Sequence, residues 1–181
     1  TSSATNFHSG STGQESIFVK DLATGILHLA SQSSGGLVGG LHSAMAALSA
    51  DGRYVAYEST SSELVADDNN SQRDIFRHDL VTGETIRVSI SSDGEEGNWS
   101  SFRPSLSADG RFVAFTSQAT NLVSWDDNDE VDIYVHDCLN ETTTAVSVGV
   151  NGLADLNSNY PMISADGAEV VFWSEATNLI D

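Results

Sequence analysis

The chain has 181 residues, 26 acidic and 7 basic, for a formal charge of −19. A surface that acidic repels phosphate backbones and anionic lipid headgroups, which argues against nucleic acid and membrane as partners. No apolar run approaches the about 18 residues of a membrane-spanning helix, and the single Cys138 excludes an intramolecular disulfide and a cysteine-rich zinc site.

From the N-terminus, Ser16–Asp21 and Ile26–Ala30 are short aromatic and aliphatic runs around the turn Leu22-Ala-Thr-Gly25, and predict two strands. Gly35-Gly-Leu-Val-Gly-Gly40 lacks the lysine of a phosphate loop and predicts a flexible connection. Next comes Ser49-Ala-Asp-Gly52, followed by Arg53-Tyr-Val-Ala-Tyr57. Asp-Gly between two such runs predicts a hairpin, because glycine takes positive φ freely. Asp74-Ile-Phe-Arg-His-Asp79, the turn Leu80-Val-Thr-Gly83 and Thr85–Ile90 complete the unit. A second copy runs through the predicted hairpin Arg103–Ser107 and Arg111–Ser117, then Asp132–Asp137 and Thr143–Val148, and a third begins at Ser164–Gly167 with Ala168–Trp173. The Ser-Ala-Asp-Gly phrases lie 58 and 57 residues apart (107 − 49 and 164 − 107), the mark of a repeat architecture.

Each unit predicts a four-stranded antiparallel sheet. Its Tyr-Val-Ala-Tyr and Phe-Val-Ala-Phe strands are apolar at consecutive positions, so both faces are expected to be packed. That pattern favours the blades of a β-propeller within an all-β fold. The phrases Ser-Ala-Asp-Gly-Arg-aromatic-Val-Ala-aromatic, Asp-Ile-Phe/Tyr and Asp-Leu-x-Thr-Gly resemble the TolB-like β-propeller repeat, with Ala50, Ala108 and Ala165 where that repeat usually carries proline. The resemblance implies a ring, commonly of six blades, and a role as a binding platform or an enzyme's lid. No Gly-x-Ser-x-Gly elbow is present.

The expected layout is a single propeller unit over residues 1–181, a half-ring. Strands three and four of a composite blade lie near 16–31, whole blades near 43–90 and 102–148, and strands one and two of the composite blade near 160–174. Ser2–Phe7 aligns with Ser117–Leu122 and Ser174–Leu179, which is three periods of the same unit. An open arc would leave two apolar faces wet. At roughly 500 Å² each this forgoes on the order of 25 kcal/mol, more than the ~5–15 kcal/mol stability of a typical domain. The expectation is a homodimer that closes a six-bladed ring, or further repeats in a longer parent.

Two loops in register carry candidate metal ligands: Asp68, Asn70 and Asp74, and Asp126, Asn128 and Asp132, with Asp127 and Asp129 as extra oxygens. Hard cations take oxygen ligands, so the expected cofactor is Ca²⁺, against the alternative of solvated turns held by local bonds. In the remaining unit the equivalent segment, residues 7–16, keeps only Glu15. His78–Asp79 and His136–Asp137 are adjacent on a strand and therefore point to opposite faces, which excludes a catalytic dyad. The acids of Asp21, Asp79 and Asp137 are expected to hold the following turns. Trp99 and Trp125 stand in polar loops as candidate ligand-stacking residues, and Trp173 is expected in the core. The functional expectation is a non-enzymatic binding or interaction scaffold with an unknown protein or glycan ligand. A carbohydrate-binding propeller is the alternative and a hydrolase the third. The Ser/Thr/Asn-rich composition with a lone Lys20 suggests an extracellular or periplasmic location.

Overall fold

The computed structural model describes residues 15–39, 42–150 and 152–180, and among them there is no helix. Strands β1 (Phe18–Lys20) and β2 (Leu27–Leu29) form an antiparallel pair. A four-stranded sheet follows in the order β3 (Ser43–Leu48), β4 (Tyr54–Ser59), β5 (Asp74–Asp79) and β6 (Thr85–Arg87), and a second in the order β7 (Ser101–Leu106), β8 (Phe112–Ser117), β9 (Asp132–Asp137) and β10 (Thr142–Ala145). A short hairpin, β11 (Val148–Gly149) with β12 (Gly152–Leu153), precedes the antiparallel pair β13 (Ser158–Ile163) and β14 (Val170–Ser174). The fourth strands are shorter than the sequence suggests, because the chain leaves the sheet after Arg87 and Ala145 to make a tight turn.

Alternation along β4 explains its unbroken apolarity. Val55 and Tyr57 join Ile17, Ala30, Leu64 and Phe76 in one buried layer, whereas Ala56 and Ile75 join Val113, Phe115, Tyr134 and Leu122 in the next. Both faces are therefore dry, and each layer is shared by two successive sheets. Tyr57 lies over Phe76, and Phe115 over Tyr134, with ring centroids 6.0 Å apart in both pairs.

The Asp-Gly turns bind the sheets to one another. The N–H of Ala50 donates to Ala108 O, and that of Ala108 to Ala165 O, both at 2.9 Å. Tyr54 sits on the Gly110 turn and Phe112 on the Gly167 turn. Within each turn the serine hydroxyl donates to the aspartate at 2.6 Å in all three copies, as Ser49 does to Asp51.

Two expectations change. The segment from Gly35 is not a loose connection: Gln32 bridges Val38, Gly36 N–H donates to Ser33 O, and Ser34 Oγ both accepts from Thr85 N–H and donates to Thr85 O. Ser92 repeats this with Thr143, so a small hairpin after each unit laces it to the following one. Trp173, expected in the core, is 52% exposed. It occupies the position of Glu58 and Thr116, which are buried because another sheet packs over them, and no described sheet covers β14 on that side.

Candidate functional site

The repeated charged residues build the frame. Asp79 Oδ1 accepts from Val81 N–H at 2.8 Å and from Arg53 Nε at 3.0 Å, and its Oδ2 accepts from Arg53 Nη2 at 2.6 Å. Asp137 makes the same clamp with Arg111 and the N–H of Leu139, and Asp21 holds the N–H of Ala23 and Thr24 without an arginine. The arginine hydrogen bonds hold the carboxyls of Asp79 and Asp137 well below the usual range. His78 and His136 are buried, with Nδ1 at 2.8 and 2.9 Å from the hydroxyls of Thr85 and Thr143, and those hydroxyls donate to Gln32 O and Ile90 O. Burial lowers the His78 imidazole and takes His136 down to about 4, disfavouring the charged form of both rings, which serve as struts through their threonine hydrogen bonds. Cys138 is partly buried, and burial pushes its thiol up to about 11.

The two acidic loops fold alike. Asn70 Oδ1 accepts from Gln72 N–H at 2.6 Å, while its Nδ2 donates to Asp74 Oδ2 and to Gly97 O. Asn128 does the same with Glu130, Asp132 and Ala154. Each asparagine thus positions an aspartate and has its own carbonyl engaged by backbone. Asp74 and Asp132 are fully buried, and each accepts from a serine, Ser89 at 2.5 Å and Ser147 at 2.6 Å. Asp68 Oδ1 and Asp126 Oδ1 are buried with no hydrogen-bond partner, while Asp126 Oδ2 accepts from Tyr134 Oη at 2.6 Å. Burial, then the neighbouring Asp74, raises Asp68 to about 6, and burial raises Asp132 to about 6. Asp127 and Asp129 are exposed.

Glu96 joins the first loop. Carboxylate oxygens of Asp68, Asp74 and Glu96 lie within 4.8 Å of one another, and Arg87 Nη1 donates to Glu96 at 2.6 Å. Sequence spacing does not reveal Glu96, because its counterpart one period later is Leu153. Of the expected aromatic contacts, Trp99 is 55% and Trp125 48% exposed. Trp99 lines a hollow of about 370 Å³ with Gln118, Thr120 and Asp129, and Trp125 another of about 520 Å³ with Ser91, Ser92 and Asp93.

A further wall was not anticipated. The edge strands β3, β7 and β13 lie side by side, and each carries a bulge at an equivalent position. The bulge residues Met45, Arg103 and Tyr160 all have positive φ (47°, 54° and 58°), a conformation unusual for residues other than glycine. Met45 and Tyr160 are exposed. In a closed propeller ring the first strand of each blade lines the central channel, and these side chains would then stand on the channel wall.

No protein-family model and no curated protein matches the chain. Among solved structures it is similar to TolB from Acinetobacter baumannii, with a TM-score of 0.55 and 18% identity over 92% of this chain and 34% of that one. It is also similar to a putative TolB from Agrobacterium tumefaciens (TM-score 0.51, 17% identity, 88% of this chain and 50% of that one). The tricorn protease matches with a TM-score of 0.53 and 16% identity over 88% of this chain and 13% of that chain. The chain therefore spans about a third to a half of the length of the TolB chains it matches. At these identities the likeness is one of fold, and the fold is that of a TolB-like β-propeller, present here as an arc of consecutive antiparallel blades.

Proposed function

We propose that the chain is a non-enzymatic binding scaffold, extracellular or periplasmic, whose ligand meets the channel wall and the loops at its mouth. The observation that carries this reading is a contrast between repetition and variation. The turns, the Arg53–Asp79 and Arg111–Asp137 clamps and the His–Thr struts recur from blade to blade, whereas the three equivalent bulges carry methionine, arginine and tyrosine. Variation at three equivalent strained positions side by side on one wall fits recognition. The groups that a hydrolase would recruit, His78, His136, Asp79 and Asp137, are spent on holding the fold.

The scaffold reading includes ring closure by a second copy. One side of the β13–β14 pair exposes Met162, Val171 and Trp173, and the turn ladder stops at Ala165 N–H on one side and Ala50 O on the other, among the described residues. A partner's β1 set beside β14 with the register of β4 and β5 would complete a four-stranded blade. Light scattering on a gel-filtered sample is expected to give twice the 19.2 kDa chain mass. A stable monomer would sink this part of the reading.

Ca²⁺ is the cation whose chemistry suits Asp68, Asp74 and Glu96, with Asp126 and Asp132 as a thinner second set. Orphaned, desolvated carboxylate oxygens are what a hard cation relieves. At a calcium concentration ten times the Kd, linkage stabilises by about 1.4 kcal/mol, so Tm is expected to rise by roughly 3–6 °C over chelator-treated protein. Asp68→Asn should abolish most of that rise, and an unchanged Tm in the wild type would remove calcium from the account.

The second reading is a carbohydrate-binding propeller, favoured by the exposed Trp99 and Trp125 beside polar hollows. A glycan array separates the two. Binding lost in both Trp99→Ala and Trp125→Ala would install the lectin reading, and no retained glycan favours the protein-binding scaffold.

A further inference from the structure

The channel wall holds a cavity of about 360 Å³ beside the Arg103 bulge. Its charges do not cancel. Glu58 is buried and its oxygens are occupied: Oε1 accepts from Arg73 Nη1 at 3.1 Å, and Oε2 from the backbone N–H of Arg103 at 2.9 Å. Arg73 neutralises Glu58, which leaves the Arg103 guanidinium over. That guanidinium makes two long contacts, 3.3 Å to Asn159 Oδ1 and 3.4 Å to Tyr160 Oη, and stacks on the Tyr160 ring at 4.2 Å. Its remaining N–H groups have no protein partner among the described residues.

This is unusual in a chain of net charge −19. Arg53, Arg73, Arg87 and Arg111 each bind a carboxylate, and Arg77 donates to Gly110 O. Arg103 alone is offered, without a carboxylate, to an open cavity on the wall. Its left-handed backbone carries it there, its Cζ lies 4.2 Å over the Tyr160 ring, and a planar guanidinium fork suits a two-oxygen acceptor. The cavity also presents the Gln118 amide and an apolar surface from Phe102, Val131 and Met45.

We propose that this cavity binds a carboxylate carried on an apolar body, with the Arg103 fork on the carboxylate and Phe102 and Val131 against the body. Such a group comes from the C-terminus of a peptide ending in an apolar residue or from a free aryl acid. The inference deepens the scaffold reading and rests on it. The cavity lies wholly within one chain, so a monomer in light scattering would sink ring closure and leave this site untouched.

The test is a calorimetric titration of the full chain with acetyl-Ala-Ala-Phe, its C-terminal amide, and 3-phenylpropionate. Both acids are expected to bind, and the amide about tenfold or more weakly, the loss typical of one charge-assisted hydrogen-bond pair. A tighter peptide identifies a chain terminus as the source, and a tighter phenylpropionate identifies the free acid. Arg103→Gln should weaken the acids about tenfold while leaving the amide unchanged, and Arg103→Lys, which keeps the charge without the fork, should fall between. The acid-to-amide ratio is measured on the wild type, so it stands even where a variant folds poorly. Equal binding of acid and amide, or no saturable heat from either acid at millimolar concentration, overturns the proposal.

Discussion

Gly110→Ala is expected to unfold at a markedly lower temperature than Gly52→Ala, although both glycines occupy the same turn position with nearly the same φ, +73° and +75°. An alanine in that left-handed conformation costs about 1–2 kcal/mol wherever it stands. At Gly52 no described atom of the chain itself lies within 4 Å of the new Cβ, so within one chain the backbone term is the whole cost. At Gly110 the Cβ would fall 2.2 Å from Tyr54 Cδ2 and 2.7 Å from Tyr54 Cβ. The Tyr54 Cβ moves only with its strand, so the overlap must push two blades apart, and overpacking of this kind adds about 1–3 kcal/mol. Gly110→Ala should therefore lose about 2–5 kcal/mol in total. Gly167→Ala should behave likewise, since its Cβ would meet Phe112 Cδ2 at 2.3 Å. Urea titrations of the three variants isolate the blade-to-blade contact, because the turn is common to all. Equal losses at Gly52 and Gly110 would mean that Tyr54 does not sit on the neighbouring turn.

That contact marks where sequence reading stops. The Asp-Gly phrase at a fixed period predicts the hairpins, and the consecutive apolar residues of β4 and β8 predict two dry faces, because both follow from local chemistry and a period of two. Trp173 shows the limit: its strand reads as core, yet burial depends on a covering sheet, which no local pattern encodes. The hairpins after β2 and β6 share Ser-Ser-x-Gly-x-x-Gly in register, at Ser33–Gly39 and Ser91–Gly97, so the repeat itself is legible there; what it does not show is that Ser34 and Ser92 lace each hairpin to the fourth strand of the next unit. In the acidic loops, the spacing of Asp68 with Asp74 and of Asp126 with Asp132 was readable. Glu96 enters from a later turn with no periodic counterpart, and the asparagine carbonyls turn to the backbone because adjacent N–H groups compete for them. Arg103 was invisible for a different reason. Its role comes from a bulge that reverses the local φ and from a guanidinium that no carboxylate engages, and neither is a sequence motif.

The double variant Asp79→Asn, Asp137→Asn is expected to lower Tm by roughly 8–16 °C at pH 7, taking two sites that share no partner as additive. Each aspartate gathers a forked guanidinium and the N–H groups of the next turn on one carboxylate. An asparagine keeps one acceptor oxygen and presents an NH₂ toward the arginine, so the fork loses its partner while the turn keeps part of its hold. Solvent at the partly exposed Arg53 and Arg111 screens the pairs, which places the cost below that of a fully buried ion pair. The pH dependence follows from the sign of the shifts. Both carboxyls titrate below their unfolded value, so in the folded state they stay ionised where the unfolded chain has begun to bind protons. Their contribution is complete above about pH 5, begins to fall near the unfolded value of about 4, and is lost as pH drops through the folded values. The gap in Tm between wild type and double variant should therefore be flat from pH 7 to 5 and narrow steadily below pH 4. Groups common to both proteins cancel in that difference. A gap that stays constant down to pH 2.5 would mean that the two aspartates hold their turns by shape rather than by charge, and the arginine forks would then be ornaments of the blade edge.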